Sequence, residues 1–452
     1  MRDQVLLVRR HFDGSRFQDG GATIRLSGKT IADVVLGDSP AFSDDAEVHD
    51  LRDKVVLPGL INTHVHIARA GMFSPTEPVS IPTITQNLTH ALRSGTTTVA
   101  DMGCPYALGA ELRSIVTDDP SKGPDIRVSG PILTSPEGYP FDWMPPIFRF
   151  FGTAVPIDAP REGSLAVAKL ARRGVDHIKI AVMHRSYADR PLPALSIASA
   201  SAIVLEAHRH GLRVFAHAHS NDDYRVSLAA RVDGLAHSTF DPLTPELVAQ
   251  VRDQGVTVCP TLWAFDSVCF GCDARLNEQP GFQKGASRAL RDEWASFAEA
   301  YRASSDVFPP GIAGGLTKAR ALEGCRMASA NMQVLRDAGV PFAFGNDGNY
   351  GFSRIARPVD ELLCMKKSGL SDEECLASAT SGAAGYLGLR DRGTIAKGML
   401  ADFVVTDDWQ GLESLAAPHA VIRHGVRVPE DVSVGLGTSL RVARGLVKSA
   451  LG

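Results

Sequence analysis

Apolar and polar positions along the chain alternate between two periods. Short runs rich in β-branched residues, VVLPGLINTHVH, TTTVADMG, DIRVSGPILT, HIKIAV, RVFAHAH, GLAHSTF, VTVCPTL and FAFGNDG, read as buried strands. Between them ITQNLTHALRSG, SLAVAKLARRG, SASAIVLEAHRHG, TPELVAQVRDQG and NMQVLRDAG follow helical spacing and end in Gly, which tolerates the left-handed backbone that closes a helix. Strands alternating with helices predict a parallel sheet. Eight of them predict an α/β fold closed as a (β/α)8 TIM barrel, whose chemistry lies at the C-terminal ends of the strands.

The two ends break this alternation. Residues 1–56 and 390–452 read as short strands joined by turns, including GATIRLSGKTIADVVLG and GTIAKGMLADFVVTDD, and are expected to pair into a small β-sandwich beside a barrel of residues 57–389. The largest insertion, 265–323, follows the seventh strand. Within it Leu290, Trp294, Phe297 and Tyr301 share one helical face, which fits packing against the barrel or a cover over its mouth.

Composition narrows the function. Of 452 residues, 44% are hydrophobic and 22% charged, which describes a globular protein long enough for a large barrel with an accessory unit. A net charge of -4, without Lys/Arg clusters interleaved with aromatics, argues against nucleic acid as a partner. No uninterrupted apolar stretch approaches the roughly 20 residues of a membrane span, and MRDQVLLVRRHFDG reads as a strand rather than a signal peptide. Seven cysteines without framework spacing point to reduced thiols and a cytoplasmic location. Only Cys269 and Cys272 form a Cys-x-x-Cys, and no second pair completes a zinc knuckle.

Chemistry enters at His64 and His66. Residues two apart on a strand face the same way, so both imidazoles can close on one metal ion. The other predicted strands add to them. Lys179 lies in the fourth, His217 ends the fifth, His237 the sixth and Asp347 the eighth, so six nitrogen or oxygen groups are expected on one rim. Imidazole and carboxylate suit zinc and related divalent ions, which polarise carbonyls and lower the pKa of bound water toward about 7. His219 should point into the same mouth as His217 and is expected to contact substrate or transition state. His90, His177, His208 and His210 fall on helices or before a strand and read as structural.

The motifs LPGLINTHVH, HIKIA, VFAHAHS, LAHS, GNDG and GTIAKGMLADFVV resemble the amidohydrolase superfamily nearly end to end, and its prolidase and imidazolonepropionase branch most of all. The resemblance implies a two-metal site, with zinc the expected ion, on His64, His66, Lys179, His217, His237 and Asp347. Lys179 would carry carbon dioxide as a carbamate bridging the ions, since a free ammonium there would repel them. It also implies hydroxide attack on a substrate carbonyl, with Asp347 passing the proton to the leaving group. Homodimers or higher assemblies are common in such proteins.

Two departures from the branch matter for substrate. Its peptidases commonly have a Gly-Gly-His stretch where this chain has TSPEGYPFDW, and a Gly-rich segment where it has VMHRSYADRP. Dipeptide specificity therefore does not carry over. Tyr139, Trp143, His184 and Arg185 lie on those loops as candidate substrate contacts, a cation there being suited to a carboxylate. The expected reaction is hydrolysis of a C–N bond in a small amide, cyclic amide, carbamate or urea-like molecule. The alternatives are a mononuclear deaminase, which would usually place a Glu where Ser220 stands, and a metal-free scaffold, which would normally lack a ligand.

Overall fold

The computed structural model describes residues 4–37, 45–67, 81–142, 152–271, 316–348, 353–430 and 436–451, with the isolated positions 292 and 299. Strands β1 (Gln4–Phe12), β2 (Phe17–Ser27), β3 (Thr30–Leu36) and β4 (Glu47–Pro58) open the chain. The barrel strands follow: β5 (Leu60–Val65), β6 (Thr96–Asp101), β7 (Asp125–Val128), β8 (Ile132–Thr134), a short flanking β9 (Ala154–Pro156), β10 (His177–Ala181), β11 (Arg213–His217), β12 (Gly234–Ala236) and β13 (Thr257–Cys259). Strands β14 (Phe403–Thr406), β15 (Ala420–Arg423) and β16 (Val426–Arg427) come last.

The third predicted strand is split into β7 and β8. Val128 O on β7 accepts from Asp176 N, just ahead of β10, while Ile180 on β10 pairs with Leu133 on β8, so both pieces border the same neighbour. Parallel pairing then runs β10, β11, β12, β13. The eighth predicted strand closes the barrel through single bridges, Val258 to Phe342 on one side and Val65 to Gly348 on the other, with Thr63 N donating to Phe344 O. Its residues turn rather than extend. Asp347 has φ 49°, outside any strand region, and the strand-ending His237 has φ 80°. Left-handed backbone at non-glycine positions is strained and clusters at functional sites.

Gly345 explains how the eighth segment fits. A Cβ there would lie 2.6 Å from Cys259 Sγ and 2.7 Å from His64 Cβ, so only glycine lets this backbone pass against His64. The side-chain amide of Asn62 donates to Asn346 Oδ1 at 2.7 Å, tying the first strand to the eighth beside Asp347.

Both termini contribute to one seven-stranded sheet in the order β16-β15-β14-β4-β1-β2-β3. β4 runs on from this sheet to Pro58, two residues before β5. Its apolar layer includes Leu6, Val8, Ile24, Val56, Phe403 and Val405. The expectation that the C-terminal region holds only strands is corrected by the helix Leu436–Leu451. Small or short residues explain its packing. Gly445 lies against Leu108 of the helix Tyr106–Asp118, and Ser449 Oγ accepts from Leu108 N. Arg441 and Arg444 pair with the buried Glu111 at 2.8 Å. All five predicted helices form, and Tyr106–Asp118, Asn221–Ala229, Leu262–Gly271, Pro358–Lys367, Asp372–Ser378 and Ser381–Leu387 are further helices among the described residues that the pattern did not single out. No helix among the described residues is long and apolar enough to cross a membrane. Leu290, Trp294, Phe297, Tyr301 and Cys272 lie outside the described residues.

Candidate metal centre

Alternation along β5 and the turn after it place His64 and His66 on one side, with ring centroids 5.5 Å apart. His66 Nε2 lies 3.1 Å from Asp347 Oδ1, and His64 Nε2 lies 3.5 Å from the same oxygen. His237 sits 4.8 Å from His64 and 4.4 Å from His217, centroid to centroid. His219 stacks on His237 at 4.5 Å with the planes 16° apart. Ligand atoms of His217, His219 and His237 lie within 4.8 Å of one another, as do those of His64, His237 and Asp347, so His237 belongs to both groups.

Lys179 is 1% exposed, on β10 beside the strand that ends in His217. Burial lowers its ammonium to about 8, against the pull of Asp347, so more of it is free amine at neutral pH than for an ordinary lysine. Burial also lowers His64, His217 and His237 well below the usual imidazole range, with Lys179 among the neighbouring charges acting in the same direction. Neutral imidazole is the metal-binding form.

Lys179 Nζ, His217 Nε2 and His237 Nε2 are buried with no hydrogen-bond partner among the described residues. Unsatisfied buried polar atoms cost about 1–3 kcal/mol each, and three of them on one rim suit a shared ligand. His237 Nδ1 is 2.6 Å from Thr261 Oγ1, which leaves Nε2 as the inward atom. The donor set fits divalent metal, with nitrogen and oxygen ligands around a buried space.

Residues 55–428 match the amidohydrolase family. The chain belongs to it. This amidohydrolase is therefore an enzyme acting on carbon–nitrogen bonds. It is 26% identical to an uncharacterized protein of Mycobacterium tuberculosis over 381 residues, covering 82% of this chain and 84% of that one. Imidazolonepropionase of Paracoccus denitrificans is 44% identical over 81 residues, or 17% of this chain and 19% of that protein. Among solved structures, a Xaa-Pro dipeptidase with methionine bound in its active site superposes with a TM-score of 0.76 at 22% identity, covering 94% and 99% of the two chains. A. niger ochratoxinase gives 0.73 at 18% identity over 97% of each chain.

The amidohydrolase fold distributes the other candidate residues unevenly. Tyr139 stacks on His217 at 4.1 Å, beside the cluster. His184 Nδ1 instead meets Asp223 Oδ1 at 2.7 Å, and that hydrogen bond raises its pKa. The Arg185 side chain is 51% exposed and pairs with Asp189. Trp143 lies outside the described residues. Two residues near the site were not anticipated. Tyr187 Oη lies 3.2 Å from His219 Nε2, and its ring joins Phe240 and Phe265 around that histidine. Asp223 accepts from His219 N and Ser220 N at 2.9 Å, and from His184 N at 2.9 Å, so one carboxylate fixes the loops after β10 and β11. The Ser220–Asp223 capping box was the available signal. No comparable signal marked Tyr187.

Proposed function

We propose that the chain is a binuclear metal-dependent hydrolase that cleaves the C–N bond of a small amide, cyclic amide, carbamate or urea-like molecule. The observation that carries the reading is the grouping of His64, His237 and Asp347 and of His217 with His237 within ligand distance of one another, with Lys179 Nζ, His217 Nε2 and His237 Nε2 buried and without a hydrogen-bond partner among the described residues. His64, His66, Lys179, His217, His237 and Asp347 would hold two divalent ions, zinc being the best suited, with Lys179 as its carbamate between them. When bound, such ions polarise the scissile carbonyl and acidify water to near neutrality.

The protein's own groups do the rest. Asp347 accepts the proton of the attacking water and returns it to the departing nitrogen. The proximity of the same carboxylate oxygen to His64 Nε2 and His66 Nε2 would bring it to the ions those imidazoles hold. Burial lowers His219 to about 4, so it enters the reaction neutral, as a hydrogen-bonding contact to the substrate rather than as a cation. Tyr187 orients it, and Phe240 and Phe265 keep water from its flank. His184 and Arg185, the groups expected to grip a peptide carboxylate, already contact Asp223 and Asp189. That favours amides without a free carboxylate at this wall.

Deamination by a single metal fits less well. Ser220, at the place where a deaminase glutamate would stand, caps the helix Asn221–Ala229 through the amide of Asp223. The test is metal-reconstituted protein assayed for amine release from anilides, N-acyl amines, cyclic amides and ureas. Amine release from one of these classes is expected. Ammonia release from amino-heterocycles alone would contradict the reading.

A further inference from the structure

Glu361, on the helix Pro358–Lys367, is 0% exposed and stands outside both ligand groups of the metal cluster. Each of its carboxylate oxygens accepts from one backbone amide. Oε1 takes Leu262 N at 2.9 Å and Oε2 takes Trp263 N at 2.6 Å. These amides open the helix Leu262–Gly271, where an N–H has no partner within its own helix. Burial pushes the Glu361 carboxyl up to about 8 against the pull of the two amides. Ionised or not, each oxygen keeps a lone pair for its N–H.

The residue just before the clamped pair is Thr261, buried between β13 and that helix and held in left-handed backbone at φ 49°. A β-branched residue is a poor occupant of that region, so the turn persists only where its surroundings hold it. Thr261 Oγ1 is the atom that meets His237 Nδ1 at 2.6 Å, and His237 is shared by both ligand groups. Phe265, one turn into the helix, lies 5.0 Å from the ring of His219, centroid to centroid. One carboxylate from a separate helix thus fixes the backbone that links a partner of the shared ligand to a wall beside His219.

We propose, resting on the metal-dependent reading of the site, that Glu361 is a positioning residue of the metal centre. It holds Thr261 so that the hydroxyl accepts the Nδ1 proton of His237 and leaves Nε2 open to metal. Histidine ligands take their orientation from the group at the other ring nitrogen, and loss of such a partner lowers metal affinity by about 10–100-fold. Glu361 acts one step further out, through the backbone of Thr261. In Glu361→Gln the amide nitrogen has no lone pair to offer, so one of the two bonds is lost and an NH2 group faces an N–H. The turn is then free to relax, and His237 can carry its proton on Nε2, which closes that atom to metal.

The test titrates Zn2+ into metal-stripped full-length protein, with bicarbonate present, against a chelator of known affinity, while far-UV circular dichroism follows the fold. Glu361→Gln should stay folded and bind zinc about tenfold or more weakly. Thr261→Val, which loses the hydroxyl, should do the same, and Thr261→Ser, which keeps it, should bind nearly as the parent does. Combining Glu361→Gln with Thr261→Val should weaken binding little beyond Thr261→Val alone, because both changes act on one contact. Zinc affinity unchanged in Glu361→Gln, or losses that simply add in the double variant, would overturn the role, since a merely structural glutamate would lower stability without acting through Thr261. If Glu361→Gln does not fold, Glu361→Asp, which keeps both oxygens and shortens the reach, takes its place in the same comparison. Parent protein that binds no zinc would overturn this role and the metal-dependent reading together, whereas a parent that binds zinc and variants that match it would contradict Glu361 alone.

Discussion

Asp347 Oδ1 lies 3.1 Å from His66 Nε2, so a carboxylate in left-handed backbone on the segment that closes the barrel faces an imidazole from the turn after the first barrel strand. This pairing joins the two ends of the barrel at the chemistry. Asp347→Asn keeps the shape and loses the base. The variant should stay folded and largely metal-bound while turnover falls by about 10²–10⁴-fold or more, the usual worth of one positioned proton-transfer group. Turnover measured alongside metal content decides it. Near-normal rates on a metal-requiring substrate would move the proton-transfer role elsewhere on the rim, with His219 next in line.

His219 is close enough to His217 and His237 to be a ligand by distance alone. Its bond to Tyr187 argues for a substrate contact instead. His219→Ala is expected to leave metal content unchanged and to lower kcat/KM. Tyr187→Phe should act in the same direction and more weakly, by about 1 kcal/mol or five- to tenfold, as befits one lost hydrogen bond. Loss of metal in His219→Ala would make it a ligand.

Lys179→Ala should lose metal and activity together. A small carboxylic acid supplied from solution should restore part of both, since it can stand in for the carbamate. High-resolution density at Lys179 Nζ gives the direct view. An unmodified Lys179 turned away from two well-occupied ions would refute the bridging role.

The terminal sheet is fastened to the barrel at Asp125, which accepts from Arg392 Nη1 at 2.6 Å and also from the Arg423 guanidinium, on a side chain 1% exposed. Burial pushes the Asp125 carboxyl up, but His424, Arg423 and Arg392 outweigh it and hold the group well below the usual carboxylate range. A depressed carboxylate contributes stability that is present above its unfolded value of 3.8 and is lost as pH falls below it. Asp125→Asn should therefore unfold more easily at neutral pH, by about 3–5 kcal/mol, because the buried Arg423 guanidinium loses its carboxylate while Arg392 keeps only the carboxylate of Asp391. It should also show a flatter dependence of stability on pH below about 4. Denaturant melts at several pH values test both parts. Equal stability of variant and parent at pH 7 would show that the fastening is inert.

The candidate ligands could be proposed from sequence because each lies within or at the end of a predicted strand, where alternation and barrel geometry set its direction. Asp125 and Arg423 were not legible, being 298 residues apart in sequence with no period to connect them. The helix Leu436–Leu451 went unread because the strand-and-turn pattern of the region before it was carried through to the end of that region. The bond of His184 to Asp223 likewise depends on two loops meeting. Local pattern carries the first kind of information and not the second.

The central claim is a centre built for two ions, and metal content tests it most directly. Elemental analysis of purified protein after mild dialysis, under metal-replete conditions with bicarbonate supplied, should give about two divalent ions per chain, one for each of the two overlapping ligand groups that share His237. A stoichiometry that stays near one under those conditions would contradict the binuclear account and return the mononuclear deaminase to the front.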